Sequence, residues 1–384
     1  MKAGFQASIE SIVTEKEKAL LERAADILYD NVVCDEKTLW YPYRGMVPSL
    51  GHFRGVWNWD SAFHAMGAAL FDIDLAKEQF KMFFSFQHTD GFLPDCICTD
   101  GSIVDTLGKP PVWPQAVEAI DRQSPDDAFL KYAYSRLIRN ECFWRSRRFA
   151  EKDGLFFYST EDETESRDLS IRYESGWDNA VRWDMGIEGM YPIDLNCYAV
   201  GYYGSMGYIA DRLGFSDDAL LWQRRKEDLA KQINAKLYDA SDGCYYDYSF
   251  AKHCFSKVLS PASLMPLYVG IASEEQAEKM HRFARDPKKL YPGMPTVSYD
   301  NPCYEDEGYW RGPTWLNVAY FAVKGLYDYG FLDTALGIRN EILSWIYDSD
   351  SIYENYDSKR KKPLCAPHFG WSAVFVMKLI LDVR

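Results

Sequence analysis

An all-α fold, six helical hairpins closed into one ring, is predicted by three observations. Twelve helical segments follow one another with no linker between them and only one late stretch that reads as β. They also alternate in character. The first, fifth, seventh, ninth and eleventh are long, charged and amphipathic, and the third is amphipathic but more apolar. The even-numbered ones are shorter, less charged and richer in Gly, Ala and aromatic residues. Amphipathic helices outside and near-apolar helices inside produce that alternation. An irregular α-solenoid, the alternative, would not need it. The third observation is that tryptophan-bearing polar segments recur just before or at the even-numbered helices. No residue-level repeat accompanies the pattern, so the six-fold character is architectural.

The elements follow from periodicity and capping. Ile9, Ile12, Val13, Leu20, Leu21, Ala24, Ala25, Ile27 and Leu28 recur at helical spacing and predict a first helix over about Ser8–Asn31. A second runs through Phe63 to Leu70, and Asp72 or Asp74 caps a third through Phe86. A fourth starts near Trp113 after Pro110 and Pro111. Ser124-Pro125-Asp126-Asp127 reads as a capping serine, a first-turn proline and two acids, opening a fifth that reaches about Ala150. A loop of roughly forty residues follows, long enough to point to function. The sixth helix spans about Asp194–Leu213, and Ser216-Asp217-Asp218 is expected to cap a seventh reaching Tyr238. Tyr245–Tyr248 reads as a small β excursion. Ser260-Pro261 opens the eighth helix, and Ser273-Glu274-Glu275-Gln276 is a capping box for the ninth. The tenth begins near Trp315, the eleventh spans Phe331–Tyr347, and the twelfth starts at Gly370-Trp371 and completes one unit over residues 1–384.

Composition excludes several classes of partner. The net charge of -14 argues against nucleic acid and against an anionic membrane surface. No run of eighteen apolar residues exists, and the N-terminal stretch lacks the apolar core of a signal peptide. Nine scattered cysteines give neither a disulfide framework nor zinc-like spacing, so reduced thiols in a cytoplasmic protein with no metal or cofactor are expected. The 12 Trp, 27 Tyr and 22 Phe exceed what a core alone suggests. Trp57, Trp59, Trp177, Trp183, Trp310, Trp315 and Trp371 stand in polar segments bounded by Gly or Pro, where they can wall a pocket or stack on sugars.

Two stretches lack either apolar period. Arg172–Asp184 packs two arginines, two tryptophans and three acids around one glycine, and Ile352–Asp357 has the same character. Both suit the lining of a polar pocket, with Asp178 and Glu354 facing each other across a sugar, one as acid and one as base. Trp57–Asp60, Pro110–Gln115, Glu174–Trp183, Trp310–Trp315 and His368–Trp371 lie before or at the N-termini of even-numbered helices. Parallel inner helices would bring the five to one end of the ring.

These segments carry a resemblance. Trp57-Asn58-Trp59-Asp60-Ser61, Asp90-Gly91-Phe92-Leu93-Pro94, Glu174-Ser175-Gly176-Trp177-Asp178-Asn179, Tyr309-Trp310-Arg311-Gly312-Pro313-Thr314-Trp315, Glu354-Asn355-Tyr356-Asp357 and Phe369-Gly370-Trp371-Ser372 occur in this order from about residue 50 onward. Together they resemble the catalytic domain of inverting α-glycosidases of glycoside hydrolase family sixty-three, with the trehalases of family thirty-seven as relatives. The resemblance implies an (α/α)6 toroid barrel, Asp178 as general acid and Glu354 as general base. It further implies that Trp59 and Asp60 bind the sugar in the cleavage subsite and that Trp310, Arg311 and Trp315 line it. Trp57, Asp90, Trp177, Asn179, Arg182, His368 and Trp371, in or beside the same motifs, complete the expected substrate-binding set. The trehalase signatures Pro-Gly-Gly-Arg-Phe and Gln-Trp-Asp-x-Pro are absent, and so is the extra β-rich domain of larger members. A small α-glucoside or α-mannoside is therefore the expected substrate, with a trehalase-like disaccharide hydrolase as the alternative.

An inverting hydrolase needs one protonated carboxyl for the leaving oxygen and one carboxylate to activate water on the other face, ~6.5–9.5 Å apart. Glu174 and Asp184 are expected to be ion-paired, Arg172 and Arg182 to neutralise acids or touch substrate, and the Lys359–Lys362 run to be solvated or to attract an acidic aglycone. A sugar epimerase on the same barrel would want paired histidines at inner-helix ends, and a sugar-binding protein would not need both carboxylates.

Overall fold

The computed structural model describes residues 13–384. The first helix, α1, covers Glu15–Asp30, capped by Thr14 in a reciprocal box with Glu17. The part expected from Ser8 to Ile12 lies outside the described residues. The chain continues through α2 (Asn58–Ala68), α3 (Ile73–Phe84), α4 (Trp113–Gln123), α5 (Asp127–Arg147), α6 (Arg167–Ser175) and α7 (Ile193–Arg212). It ends with α8 (Ser216–Lys236), α9 (Met265–Tyr268), α10 (Glu274–Ala284), α11 (Leu316–Asp328), α12 (Leu332–Tyr347) and α13 (Gly370–Asp382).

The inner ring closes. Each of α2, α4, α7, α9, α11 and α13 contacts the next, and α13 returns to α2. Their sequences explain the placement: α13 buries Trp371 to Met377 without interruption, and α11 buries Leu316 to Val323, so neither has a face left for water. The outer helices bury one stripe only; α8 buries just Trp222, Leu229 and Ile233 and turns its charges outward. The chain's first outer helix packs on its last inner one, α1 against α13, and Arg339 of α12 ties Glu17 and the Leu379 carbonyl together at that seam. This is an (α/α)6 barrel. No helix among the described residues is long and apolar enough to cross a membrane.

Five local expectations are corrected. Asp126, not Ser124, caps α5, accepting from Ala128 and Phe129 N–H at 3.1 Å. Ser124 instead closes α4 in extended conformation, as a residue before proline prefers. Ser216, expected to cap α8, is already its first helical residue, and Phe215 holds the cap position. The eighth predicted helix is two short pieces, a 3-10 turn over Pro261–Leu264 and α9, with Pro266 at the junction. The long loop after α5 holds α6, so Arg172–Ser175 is helical. In place of one β excursion, the described residues form six small sheets of two or three strands. Most of those strands are two residues long, below the length at which alternation can be read.

These sheets sit between helices and hold the loops. Gly55–Trp57 pairs with Cys96–Cys98, which pairs with Ile103–Val104, fixing the entry to α2. Asn355–Asp357 pairs with Lys362–Leu364 and bridges Thr314 through Tyr356, joining the loop before α13 to the loop before α11.

Candidate active site

Trp57, Trp315 and Phe369 stand at the N-cap positions of α2, α11 and α13, so aromatic residues ring the N-terminal ends of three inner helices. They wall a narrow cleft of about 100 Å³ together with Phe53, Trp59, Asp60, Lys109, Gly176, Asp178, Tyr309, Trp310, Glu354 and Trp371. The molecule has a larger cavity at the other end of the barrel, but the converging carboxylates are here.

The walls are aromatic and stiff. Trp310 stacks on Trp315 with ring centres 3.9 Å apart and planes 8° from parallel. Trp371 meets Trp315 edge-on at 5.6 Å and Trp59 edge-on at 4.9 Å. Gly176 closes α6 with φ of +73°, and a side chain there would collide with the Trp59 ring, so both backbone and packing require glycine. That tight turn delivers Asp178 to the cleft.

The two carboxylates differ in their partners. Glu354 is buried, accepts the Tyr309 hydroxyl on Oε1 at 2.9 Å and accepts the Ala366 N–H on Oε2 at 3.2 Å. Burial raises its pKa, while those two donors and the charge of His52 pull it back toward the anion. Among the described residues, Asp178 has no donor beyond its own backbone N–H. Burial pushes it up to about 6; Lys109 opposes the shift, and the negative charges of Asp95 and Glu354 add to it. Asp60, buried on the first turn of α2, is pushed up to about 8 by burial, with Lys109 opposing and Asp95 and Glu354 adding.

Among the described residues, Lys109 is the one cation in the cleft wall. Its ammonium pairs with Asp95 at 3.2 Å and donates to the Tyr173 carbonyl. Burial works against its charge, yet Asp95, Asp178 and Asp60 together raise its pKa. Sequence reasoning missed Lys109, Asp95 and Tyr309. The available signal was a lysine directly before Pro110-Pro111 at the start of an inner helix, and a tyrosine inside the quoted Tyr309–Trp315 motif.

Of the expected site residues, Trp57, Trp59, Asp60, Asp178, Trp310, Trp315, Glu354 and Trp371 line the cleft. The others stand back from it. Trp177 is fully buried behind Trp310, ring centres 4.9 Å apart. Arg182, expected to touch sugar, is buried between the Trp177 and Trp183 rings and pairs with Asp247 at 2.6 Å and Asp194 at 2.8 Å. Arg311 is claimed by Asp184, its two terminal nitrogens 2.7 and 2.8 Å from the carboxylate. Asn179 bridges loops, accepting from Trp310 N–H and donating to the Gly308 carbonyl, both at 3.0 Å. Asp90 accepts from Phe92 N–H in an exposed turn. His368 has an exposed side chain, a φ of +52°, and a backbone anchored to Ser351 and Asn31.

Glu174 is fully buried against Arg148 and the Ser159 N–H, and Asp184 is ion-paired, as expected. The basic run is largely matched by acids: Lys359 pairs with Asp306, Arg360 with Asp306, Glu307 and Asp357, and Lys361 with Glu341.

An (α/α)6 barrel with carboxylates in an aromatic cleft at the inner-helix N-termini is the arrangement of a glycoside hydrolase, and comparison with known proteins identifies this one as of the family sixty-three type. The matching family model, the mannosylglycerate hydrolase MGH1-like glycoside hydrolase domain, spans residues 54–372, and the chain belongs to that family. A mannosylglycerate hydrolase of Rubrobacter radiotolerans is 23% identical over 414 residues, covering 85% of this chain and 90% of that protein. The family sixty-three mannosylglycerate hydrolase of Thermus thermophilus, solved with glucose, superposes with a TM-score of 0.80 at 21% identity, covering 94% of this chain and 99% of that one. The neutral trehalase of Saccharomyces cerevisiae gives 0.70 at 19% identity, covering 89% of this chain and 74% of the trehalase.

Proposed function

We propose that the enzyme hydrolyses a small α-mannoside or α-glucoside with inversion, Asp178 acting as general acid and Glu354 as general base. The observation that carries the assignment is the contrast in hydrogen bonding. Glu354 accepts two donors that favour its anion, and Asp178 has none from a neighbour and sits near acids that favour its proton.

In the reaction the Asp178 proton goes to the glycosidic oxygen as the bond to the anomeric carbon breaks. Glu354 takes a proton from water, whose oxygen attacks that carbon from the opposite face. Trp59, Trp310, Trp315 and Trp371 hold the ring and exclude bulk water. Asp60, protonated at neutral pH by its pKa of about 8, can donate to a sugar hydroxyl. The cleft, about 100 Å³, is well under the ~300–1,000 Å³ of sites for drug-sized ligands, which supports a single small sugar in the cleavage subsite.

The relatives named mannosylglycerate hydrolase support a hydroxy-acid aglycone. Lys109, the one cation in the cleft wall among the described residues, is the group placed to meet such an acid. We read residues 1–384 as one catalytic unit. All nine cysteines are free, which suits a reducing cytoplasm. The test is a panel of α- and β-linked mannosyl and glucosyl glycerates with the matching methyl glycosides. Hydrolysis confined to α-linked members supports the reading, and turnover of β-linked members alone refutes it.

A further inference from the structure

At the C-terminal ends of the inner helices the barrel opens into a second cavity of about 510 Å³, five times the volume of the catalytic cleft. It runs between α4 and α7 toward the barrel centre. Phe63, Phe321 and Phe375 form its inner wall. The other side of the Phe63 ring meets Trp59 at 5.6 Å and Trp371 at 6.1 Å, so one aromatic layer separates this cavity from the sugar cleft.

Its mouth is positive in an acidic protein. Arg122, Lys226 and Lys378 line it against one carboxylate, Glu118. Arg122 pairs with Glu118 at 2.7 Å and Lys378 with Asp382 at 2.8 Å. Lys226 has no ion pair or hydrogen bond among the described residues. Its ammonium lies over the α7 backbone, 3.8 Å from where a Cβ on Gly204 would stand. Tyr198 also lines the cavity, and its buried hydroxyl has no hydrogen-bond partner among the described residues.

The α7 glycines keep the space open. Glycine inside a helix costs stability relative to alanine and is retained where something must come close. Gly201 has such a reason, since a Cβ there would lie 2.6 Å from the Gln115 side-chain amide. Gly204 has none: among the described residues, nothing but the flexible end of Lys226 comes within 4 Å.

We propose that this cavity binds a small amphipathic anion. Its carboxylate, phosphate or sulfonate would meet Lys226 at the mouth, its apolar or aromatic body would reach the phenylalanines, and a polar atom on that body would satisfy the Tyr198 hydroxyl. The site does not depend on the identity of the glycoside, and its test does not use hydrolysis.

The probe is 8-anilinonaphthalene-1-sulfonate, titrated into the full chain by fluorescence, with N-phenyl-1-naphthylamine as its uncharged counterpart. One saturable site is expected for the anion on the folded protein. Lys226→Met weakens the anion ~tenfold, the loss of one charge-assisted contact, and leaves the neutral probe unchanged. Gly204→Leu fills the cavity and abolishes binding of both probes without lowering the melting temperature. Anion binding that survives Gly204→Leu overturns the proposal. So does a Lys226→Met loss equal for both probes, which needs no repacking of the core and reads the charge alone.

Discussion

The Tyr309 hydroxyl donates to Glu354 Oε1 at 2.9 Å, across the loops that precede α11 and α13. The bond does two things. It fixes the carboxylate that faces the cleft, and it favours that carboxylate's ionised form in a buried setting that otherwise opposes charge. The Ala366 N–H does the same from the other side at 3.2 Å.

Tyr309→Phe keeps the ring that packs edge-on to Trp315 and removes only the donor. Glu354 then gains protons more readily, so the acid limb of the kcat/KM profile moves to higher pH. Loss of one bond to a charged group, ~1.5–3 kcal/mol, corresponds to a fall of ~10–100-fold at the pH of the wild-type limb. A pH–rate profile with an unmoved acid limb counts against the role given to Glu354.

With Asp178 as the proposed general acid, the alkaline limb is its titration. With its pKa at about 6 in the free enzyme, kcat/KM falls as pH rises beyond that value and the acid loses its proton. Lys109 lowers that pKa. Lys109→Gln therefore carries the alkaline limb to higher pH, read from the same profile.

Asp60 couples the site to stability. Its folded pKa of about 8 lies above its ordinary value of 3.8, so the folded state binds more protons between the two. Stability from this group is present at low pH and lost as pH rises through about 8. Asp95 and Asp178, each raised to about 6, act with the same sign. Asp60→Asn removes the largest of these penalties: its melting temperature gains on wild type between pH 5 and pH 8, while activity is lost. Parallel melting curves across that range contradict the burial of an ionisable Asp60.

Arg182 holds two buried acids, Asp194 and Asp247, and lies behind the Trp177 ring. Arg182→Met leaves both acids uncompensated and destabilises the fold by ~3–5 kcal/mol in urea unfolding. A change in KM with unaltered stability would return Arg182 to the substrate.

Much of this was legible in the sequence because the signals were of the right length. Helices such as α8 and α12 repeat their apolar stripe over several turns, and Ser273 with Gln276 forms the reciprocal cap that their spacing announces. The cleft was legible because tryptophans and acidic residues crowd the same short segments at or before the inner helices. Two-residue strands such as Met190–Tyr191 leave no period to read. The arginines are hard to read for a different reason. Arg182 and Arg311 stand in the right motifs, but whether a guanidinium meets substrate or a protein carboxylate depends on Asp247 and Asp184, and sequence distance hides that choice. Lys109 was missed because its partners come from distant parts of the chain, Asp95 from the loop before Cys96–Cys98 and Tyr173 from α6.

The division of labour between Asp178 and Glu354 is tested most directly by leaving-group dependence. Asp178→Asn removes proton donation and Glu354→Gln removes water activation, each expected to cost ~10²–10⁴-fold or more on a natural α-glycoside. The measurement is kcat/KM of both variants on an α-glycoside with an alkyl aglycone and on its 2,4-dinitrophenyl counterpart. Asp178→Asn should recover much of its rate on the activated substrate, which needs little protonation, and Glu354→Gln should remain slow on both. If Glu354→Gln recovers and Asp178→Asn does not, the assignment of acid and base is contradicted.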